Sequence, residues 1–268
     1  MLHVRRWKLK KVWKTKRQGQ VWIVQNTSGR RGYFKFSKKN QWYFSGPMIA
    51  NEYIASTLAQ RLGFPVGKLQ LAKVTGPDGN LQTGVVSKEV MAKEVITWKK
   101  AGKHVYLNPS QYIERLDLMR HLIVFDAWIA NIDRAAGKNL ILYRKANDEK
   151  YNWYLIDHGH TLYGSPRKWK KRPWNAPFWK TIRKFYHTPR GLLRLQSSWA
   201  VLEPMVQKIE HLTDADIEAA LNSVPKGYLS SDKRQFIKRL LLTRKKQLRR
   251  MIKRWLASRG LKEYNKKT

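Results

Sequence analysis

The chain has 268 residues, 42% of them hydrophobic, with 12 Trp, 12 Tyr, 8 Phe and no Cys. This excludes a disordered chain, disulfides, thiolate metal sites and cysteine nucleophiles, and makes a reducing compartment, the cytoplasm, the expected setting. Lys and Arg number 55 against 18 Asp and Glu, a net charge of +37 whose field draws nucleic acid, an acidic protein or an anionic membrane surface.

Residues 1–17 (MLHVRRWKLKKVWKTKR) read as a basic, aromatic arm. Either Trp7 and Trp13 stack bases among phosphate-binding Lys and Arg, or Val4, Trp7, Leu9 and Val12 dock on the domain with the charges outward. No apolar segment follows the arm, which argues against a secretory signal, and no apolar run approaches the roughly 18 residues of a membrane span. Two β-type runs come next, Gln20 to Thr27 and Arg31 to Ser37, flanking a Ser28-Gly29-Arg30 turn. Lys35 alternates with Phe34 and Phe36, so it points away from both, into solvent or into a cleft. Residues 46–64 predict an amphipathic helix with Ile49, Tyr53, Ile54, Leu58 and Leu62 on one side, ended by Gly63 and Pro65. Glu52 falls in its first turn, where acids are favoured. Strands over Lys68 to Val74 and Thr83 to Met91 are joined by the Gly76-Pro77-Asp78-Gly79 turn.

Residues 93–108 read as a connecting loop, and Pro109-Ser110 caps a helix running from about Gln111 to Ala130 with Leu116, Leu122, Phe125 and Ile129 on its apolar face. The chain then turns through Asn131-Ile132-Asp133-Arg134. Short runs at Leu140 to Tyr143 and Trp153 to Ile156 follow, and the second ends abruptly at Asp157-His158-Gly159. A tight hairpin of these runs brings Asp133, Asn139 and Asp157 to one spot. Two carboxylates and an amide oxygen suit a hard cation such as Mg²⁺, which takes oxygen ligands alongside nucleotide phosphates. The irregular stretch after Gly164 mixes Lys and Arg with Trp169, Trp174 and Trp179 and reads as a surface for an acidic or nucleotide-bearing partner. Helices follow over Gln196 to Glu210, over Asp214 to Ser223 with Thr213 and Asp216 as a capping pair, and from Ser231 to about Arg259. The last packs Ile237, Leu240, Leu241, Leu248, Met251, Ile252 and Trp255 inward and turns an almost wholly basic face outward.

Asn131-x-Asp133-Arg134, Asn139 and Leu155-Ile156-Asp157-His158-Gly159 together resemble the catalytic centre of the HipA-like kinases, bacterial relatives of protein kinases and phosphatidylinositol kinases. Asn51-Glu52-Tyr53, ahead of Leu58-Ala59 and Leu62-Gly63-Phe64-Pro65, is similar to the helix that follows the lysine strand in that family. The resemblance implies an α+β, two-lobed protein-kinase-like fold: a small β-rich lobe with one helix (18–91) after the arm, and a larger, mainly helical lobe (92–268). It implies ATP and Mg²⁺ as cofactors. Ser28 and Gly29 then cover the triphosphate, Lys35 holds its α/β-phosphates, Glu52 pairs with Lys35, and the backbone of Glu89 to Met91 meets adenine. Asp133 orients or deprotonates the attacking hydroxyl, and Asn139 and Asp157 hold the metal. One departure stands out: kinase catalytic loops place four residues between the aspartate and the asparagine, and here there are five, Arg134 to Lys138, with Gly137 able to absorb the extra one. The implied reaction is phosphorylation of a protein Ser or Thr, with a small-molecule or lipid kinase, or a basic nucleic-acid-binding protein on a degenerate kinase scaffold, as alternatives.

Overall fold

The alternating apolar residues up to Lys88 resolve into one curled sheet. In the computed structural model, which describes residues 7–13, 20–36, 47–162 and 188–259, strands β1 (Trp7–Trp13), β2 (Gln20–Asn26), β3 (Arg31–Phe36), β4 (Leu69–Thr75) and β5 (Leu81–Lys88) form an antiparallel sheet in the order β1-β2-β3-β5-β4. The edge strands β1 and β4 approach each other, so the sheet rolls towards a half-barrel. Trp7, Trp22, Val24, Phe34, Phe36, Ala72, Val74 and Val86 fill its inside. The Trp22 ring meets Phe36 edge-on with centroids 4.5 Å apart. Helix α1 (Met48–Arg61) lies behind the sheet, against the large lobe.

Residues 7–13 are thus the first strand of the sheet and not part of a separate arm. Trp7 is buried, Leu9 and Val12 pack on the same core, and Lys8, Lys10 and Lys11 stay exposed. A register shift between Leu9 and Lys11 lets the strand carry one extra cation without turning its apolar side away from the core.

The large lobe contains a second sheet, β6 (Glu94–Thr97), β7 (Leu140–Arg144) and β8 (Asn152–Leu155), in that order. Strand β6 and helix α2 (Lys103–Leu107) fall where a connecting loop was expected. The Glu94-Val95-Ile96-Thr97 run is too short to signal a strand alone, and forms one by pairing with Ile141 to Arg144.

The single helix expected over 111–130 is three pieces, α3 (Pro109–Tyr112), α4 (Leu116–Arg120) and α5 (Leu122–Trp128). Tertiary hydrogen bonds break it: Tyr151 N–H donates to Tyr112 O at 2.8 Å, Glu114 N–H donates to Tyr151 O at 2.9 Å, and Arg115 then takes φ 53°. Its apolar residues are nevertheless buried as expected, Leu116, Met119, Leu122 and Phe125 among them.

Helices α6 (Trp199–Glu210), α7 (Asp214–Asn222) and α8 (Ser231–Ala257) close the lobe. The Thr213/Asp216 capping box forms in both directions. Among the described residues no helix is long and apolar enough to cross a membrane. Trp169, Trp174 and Trp179, read as a partner surface, lie outside the described residues.

Candidate active site

Strand register places the lysine. Lys35 sits opposite Val21 on β2 and Val85 on β5, on the sheet face opposite Phe34 and Phe36, and it is 9% exposed. It is therefore aimed into a cleft and not into solvent. A Cβ on Gly84 would overlap the Lys35 carbonyl oxygen, so β3 and β5 come together here only because residue 84 has no side chain. Gly84→Ala is expected to force β3 outward and cost about 1–3 kcal/mol, read as a lower urea midpoint.

The Lys35 ammonium lies 3.1 Å from Asp157 Oδ1 and 3.4 Å from Glu52 Oε1. Burial works against its charge, but Asp157 and then Glu52 outweigh burial and raise its pKa. Burial likewise opposes ionisation of Glu52, yet Lys35, followed by His158, holds that carboxyl down at about 2.

The second Glu52 oxygen accepts the His158 N–H at 2.9 Å, and the Asn51 amide donates to Gly159 O at 3.1 Å. Two consecutive residues of α1 therefore grip the backbone on the far side of Asp157, whose own φ is 60°. The other end of α1 is anchored to the large lobe: Lys208 donates to Leu62 O and Arg115 to Gly63 O, each at 2.9 Å, and Arg61 pairs with Asp216 at 2.6 Å.

A pH prediction follows from the Glu52 carboxyl. Its folded pKa of about 2 lies below the ordinary 4.5, so its ionisation stabilises the fold fully above about pH 4.5, and that stability is lost as pH falls through about 2. Urea midpoints of the wild type and Glu52→Gln should differ most at neutral pH, on the order of 3 kcal/mol. The gap should close through that acid window.

The loop after α5 is built around a buried salt bridge. Arg134 is 2% exposed and donates through Nε to Asp126 Oδ2 at 3.1 Å and through Nη2 to Asp126 Oδ1 at 3.3 Å. It also donates to Asn139 O, and its Nη2 lies 3.5 Å from His158 Nε2. Asn131 donates to Asp126 Oδ1 at 2.7 Å and accepts the Asp133 N–H at 3.0 Å. Asp126 thus anchors this loop through its hydrogen bonds with Arg134 and Asn131.

Gly137, at φ 65°, closes a turn by donating to Arg134 O at 2.9 Å. That turn accommodates the extra loop residue, because the Asn139 amide still reaches Asp133, donating to both O and Oδ2 at 3.0 Å. The β7–β8 pairing of Leu140 with Leu155, continued by Ile156 N–H to Asn139 O at 3.2 Å, brings Asn139 alongside Asp157. Burial, and then the negative charge of Asp157, push the Asp133 pKa up. The two carboxylates thus sit close enough to repel, a tension that a shared cation relieves.

The donor set suits Mg²⁺. It offers two carboxylates and, with the Asn139 NH₂ turned to Asp133, the amide oxygen. No group of three or more His, Cys, Asp or Glu that could hold a metal occurs among the described residues.

Two of the other expected nucleotide contacts, Ser28 and Gly29, fall away from Lys35. Ser28, Gly29, Glu89 and Met91 line a cavity of about 920 Å³ between the β2–β3 turn and residues 88–95, and Lys35 and Asp157 are absent from its wall. Ser28 and Gly29 therefore do not cover the phosphates beside Lys35. The turn sits before Arg31, and the four residues from Arg31 to Lys35 span about 13 Å of strand. The β1–β2 connection, next to the Val21–Lys35 row, is residues 14–19, outside the described residues. The Glu89 N–H is taken by Arg31 O at 3.1 Å, and its carboxylate accepts from Tyr33 Oη at 2.7 Å. Sequence reasoning missed Arg134, Asn51 and Gly84. Asn51 and Arg134 carried a signal, since each stands in a quoted motif, beside Glu52 and Asp133.

A family model described as HipA-like kinase matches residues 34–168, which is half of the chain and spans Lys35 through Asp157. The chain belongs to the HipA-like kinase family. Among solved structures, the Helicobacter pylori proinflammatory kinase CtkA superposes with a TM-score of 0.65 at 14% identity, covering 96% of this chain and 98% of that one. At that identity the likeness shows a shared kinase fold. A golgi casein kinase matches with TM-score 0.47, 14% identity, and 96% and 75% coverage. HipA from Shewanella oneidensis, in a structure with HipB and operator DNA, matches with TM-score 0.45, 15% identity, and 97% and 65% coverage. No curated protein matches the sequence. In this HipA-like kinase, then, the three motif stretches read from the sequence meet at one point between the lobes.

Proposed function

We propose that this HipA-like kinase transfers the γ-phosphoryl group of ATP, with Mg²⁺, to a Ser or Thr hydroxyl of a protein. The observation that carries the reading is the bridging of Asp157 to Glu52 by Lys35, with Asp133, held by the Asn139 amide, facing the same Asp157. Lys35 neutralises the α/β-phosphates, and Glu52 keeps it pointed into the cleft. Asn139 and Asp157 would hold Mg²⁺, which supplies positive charge against the phosphate oxygens. The connector at Glu89 to Met91 takes the adenine.

Asp133 accepts a hydrogen bond from the incoming hydroxyl and sets it in line with the γ-phosphorus. As the new O–P bond forms and the bond to the β–γ bridging oxygen breaks, the hydroxyl proton passes to Asp133 and ADP leaves. A carboxylate whose proton affinity is raised by burial is suited to that transfer. Positioning and electrostatics supply nearly all the acceleration.

A Ser/Thr acceptor is supported by the family resemblance, whereas the metal site does not choose among acceptors. The test is transfer from γ-labelled ATP into cell proteins, tRNA and lipids, with and without Mg²⁺, followed by phosphoamino-acid analysis. Mg²⁺-dependent phosphoserine or phosphothreonine is the expected product. Label only in lipid or tRNA overturns the protein acceptor, and no label in any fraction overturns the kinase reading.

A further inference from the structure

His158 is 1% exposed, and both of its backbone groups are held. Its N–H donates to Glu52 Oε2 at 2.9 Å, and its carbonyl accepts from Thr161 Oγ1 at 2.7 Å and from the Thr161 N–H at 3.1 Å. The imidazole therefore has a fixed place, with the Phe125 ring edge-on to it at a centroid distance of 6.4 Å.

That place lies between two charged groups from different lobes. Nε2 is 3.5 Å from Arg134 Nη2, in the loop after α5, and Nδ1 is 3.8 Å from Glu52 Oε2, on α1. A guanidinium carries donors only, so Nε2 presents its lone pair to Arg134. The ring hydrogen then belongs to Nδ1, which faces the Glu52 carboxylate.

Nδ1 is buried and has no hydrogen-bond partner among the described residues. Its 3.8 Å separation from Glu52 Oε2 is about 0.8 Å longer than an ordinary hydrogen bond. Leaving a buried donor unmet costs free energy, and the acceptor beside it is charged. The other oxygen of the same carboxylate holds Lys35 at a similarly long 3.4 Å. A small shift of the Glu52 side chain towards the ring closes the contact.

We propose that the His158 imidazole is a positioning residue that ties Glu52 to Arg134, accepting from the guanidinium at Nε2 and donating to the carboxylate at Nδ1. One ring then steadies both halves of the site. Through Glu52 it sets the aim of Lys35. Through Arg134 it steadies the contacts to Asp126 and to Asn139 O that shape the catalytic loop. An apolar ring fills the same space and makes neither contact. The effect on turnover rests on the phosphoryl-transfer reading of this site, whereas the tautomer and the link do not.

Nitrogen NMR shifts of the His158 ring in the full chain, assigned by their loss in His158→Phe, identify the protonated nitrogen. A hydrogen on Nδ1 is expected, and one on Nε2 overturns the proposal. His158→Phe keeps a buried ring and removes both nitrogens. It should raise the KM for ATP and lower kcat, each by about 10-fold, the loss of one hydrogen bond to a charged group.

Two further variants divide these effects. His158→Asn puts an amide N–H where Nδ1 stands and should recover KM. His158→Gln puts an amide oxygen where Nε2 stands and should recover kcat. Losses that follow the unfolding temperature across all three variants, with no division between KM and kcat, would show packing alone and overturn the proposal. Wild-type kinetics in His158→Phe would overturn it as well.

A double-mutant cycle of His158→Phe with Glu52→Gln, read in urea midpoints, needs no turnover. The backbone N–H of residue 158 is present in every member of the cycle, so non-additive midpoints report the ring contact and additive ones overturn it. If the wild type transfers no phosphate, the kinase reading fails, while the tautomer and the cycle still decide the link.

Discussion

Asp157→Asn is expected to slow Mg²⁺-dependent phosphoryl transfer from ATP by about 10³-fold while leaving the protein folded. The substitution removes the charge that faces Lys35 at 3.1 Å and the one carboxylate assigned to the proposed cation. The fold should tolerate it. Asp157 holds φ 60°, a conformation Asn adopts as readily as Asp. The grips on the two residues that follow it, Glu52 on the His158 N–H and Asn51 on Gly159 O, use backbone atoms that the change leaves in place. Thermal unfolding should thus stay near wild type while labelled-phosphate transfer disappears.

Asp133→Asn provides the contrast. It removes the group that receives the proton, so turnover falls by about 10²–10⁴-fold, yet calorimetric binding of ATP with Mg²⁺ should persist, whereas in Asp157→Asn it weakens together with turnover. Turnover retained in Asp157→Asn would sink the site assignment.

The largest stability effect is expected at Arg134→Met, a loss of about 3–5 kcal/mol that should appear as a strongly lowered urea midpoint. Arg134 and Asp126 are 2% and 3% exposed, so removing the cation strands a carboxylate where water cannot reach it. The same side chain also holds Asn139 O, and with it the position of the Asn139 amide against Asp133. The double variant Asp126→Asn/Arg134→Met should recover a large part of the loss, because no unpaired charge remains inside. If the double variant is as unstable as the sum of the single variants, the pair is not the coupled unit described here. Activity should stay low in the double variant, since loop geometry depends on the guanidinium even where stability does not.

Several features of this protein were legible in the sequence because they are local. The alternation around Lys35 separated it from Phe34 and Phe36, Thr213 and Asp216 announced a capping box, and the paired apolar runs after Asn139 implied a hairpin ending at Asp157. Each is fixed by residues within a few positions of one another. Chain order then placed Lys35, Glu52, Asp133, Asn139 and Asp157 in one catalytic sequence of parts. What the sequence by itself determined was therefore the set of groups that the proposal uses: which acids, which amide and which lysine.

Long-range contact decided the rest. Tyr151 breaks the helix after Tyr112 by taking and giving backbone hydrogen bonds across 39 residues, which no periodicity in residues 109–130 reveals. Strand β6 exists only because β7 offers it a partner. The Ser28–Gly29 turn is a sound turn from its sequence, but the register of β2 on β3, a pairing fixed by which apolar side chains enter the half-barrel, sets it at the far end of the strand from Lys35. Asn51, Gly84 and Arg134 are ordinary residues in isolation. They matter because folding brings Gly159 to the first, the Lys35 carbonyl to the second and a buried Asp126 to the third, and a buried polar group must be met by a partner wherever in the chain that partner lies.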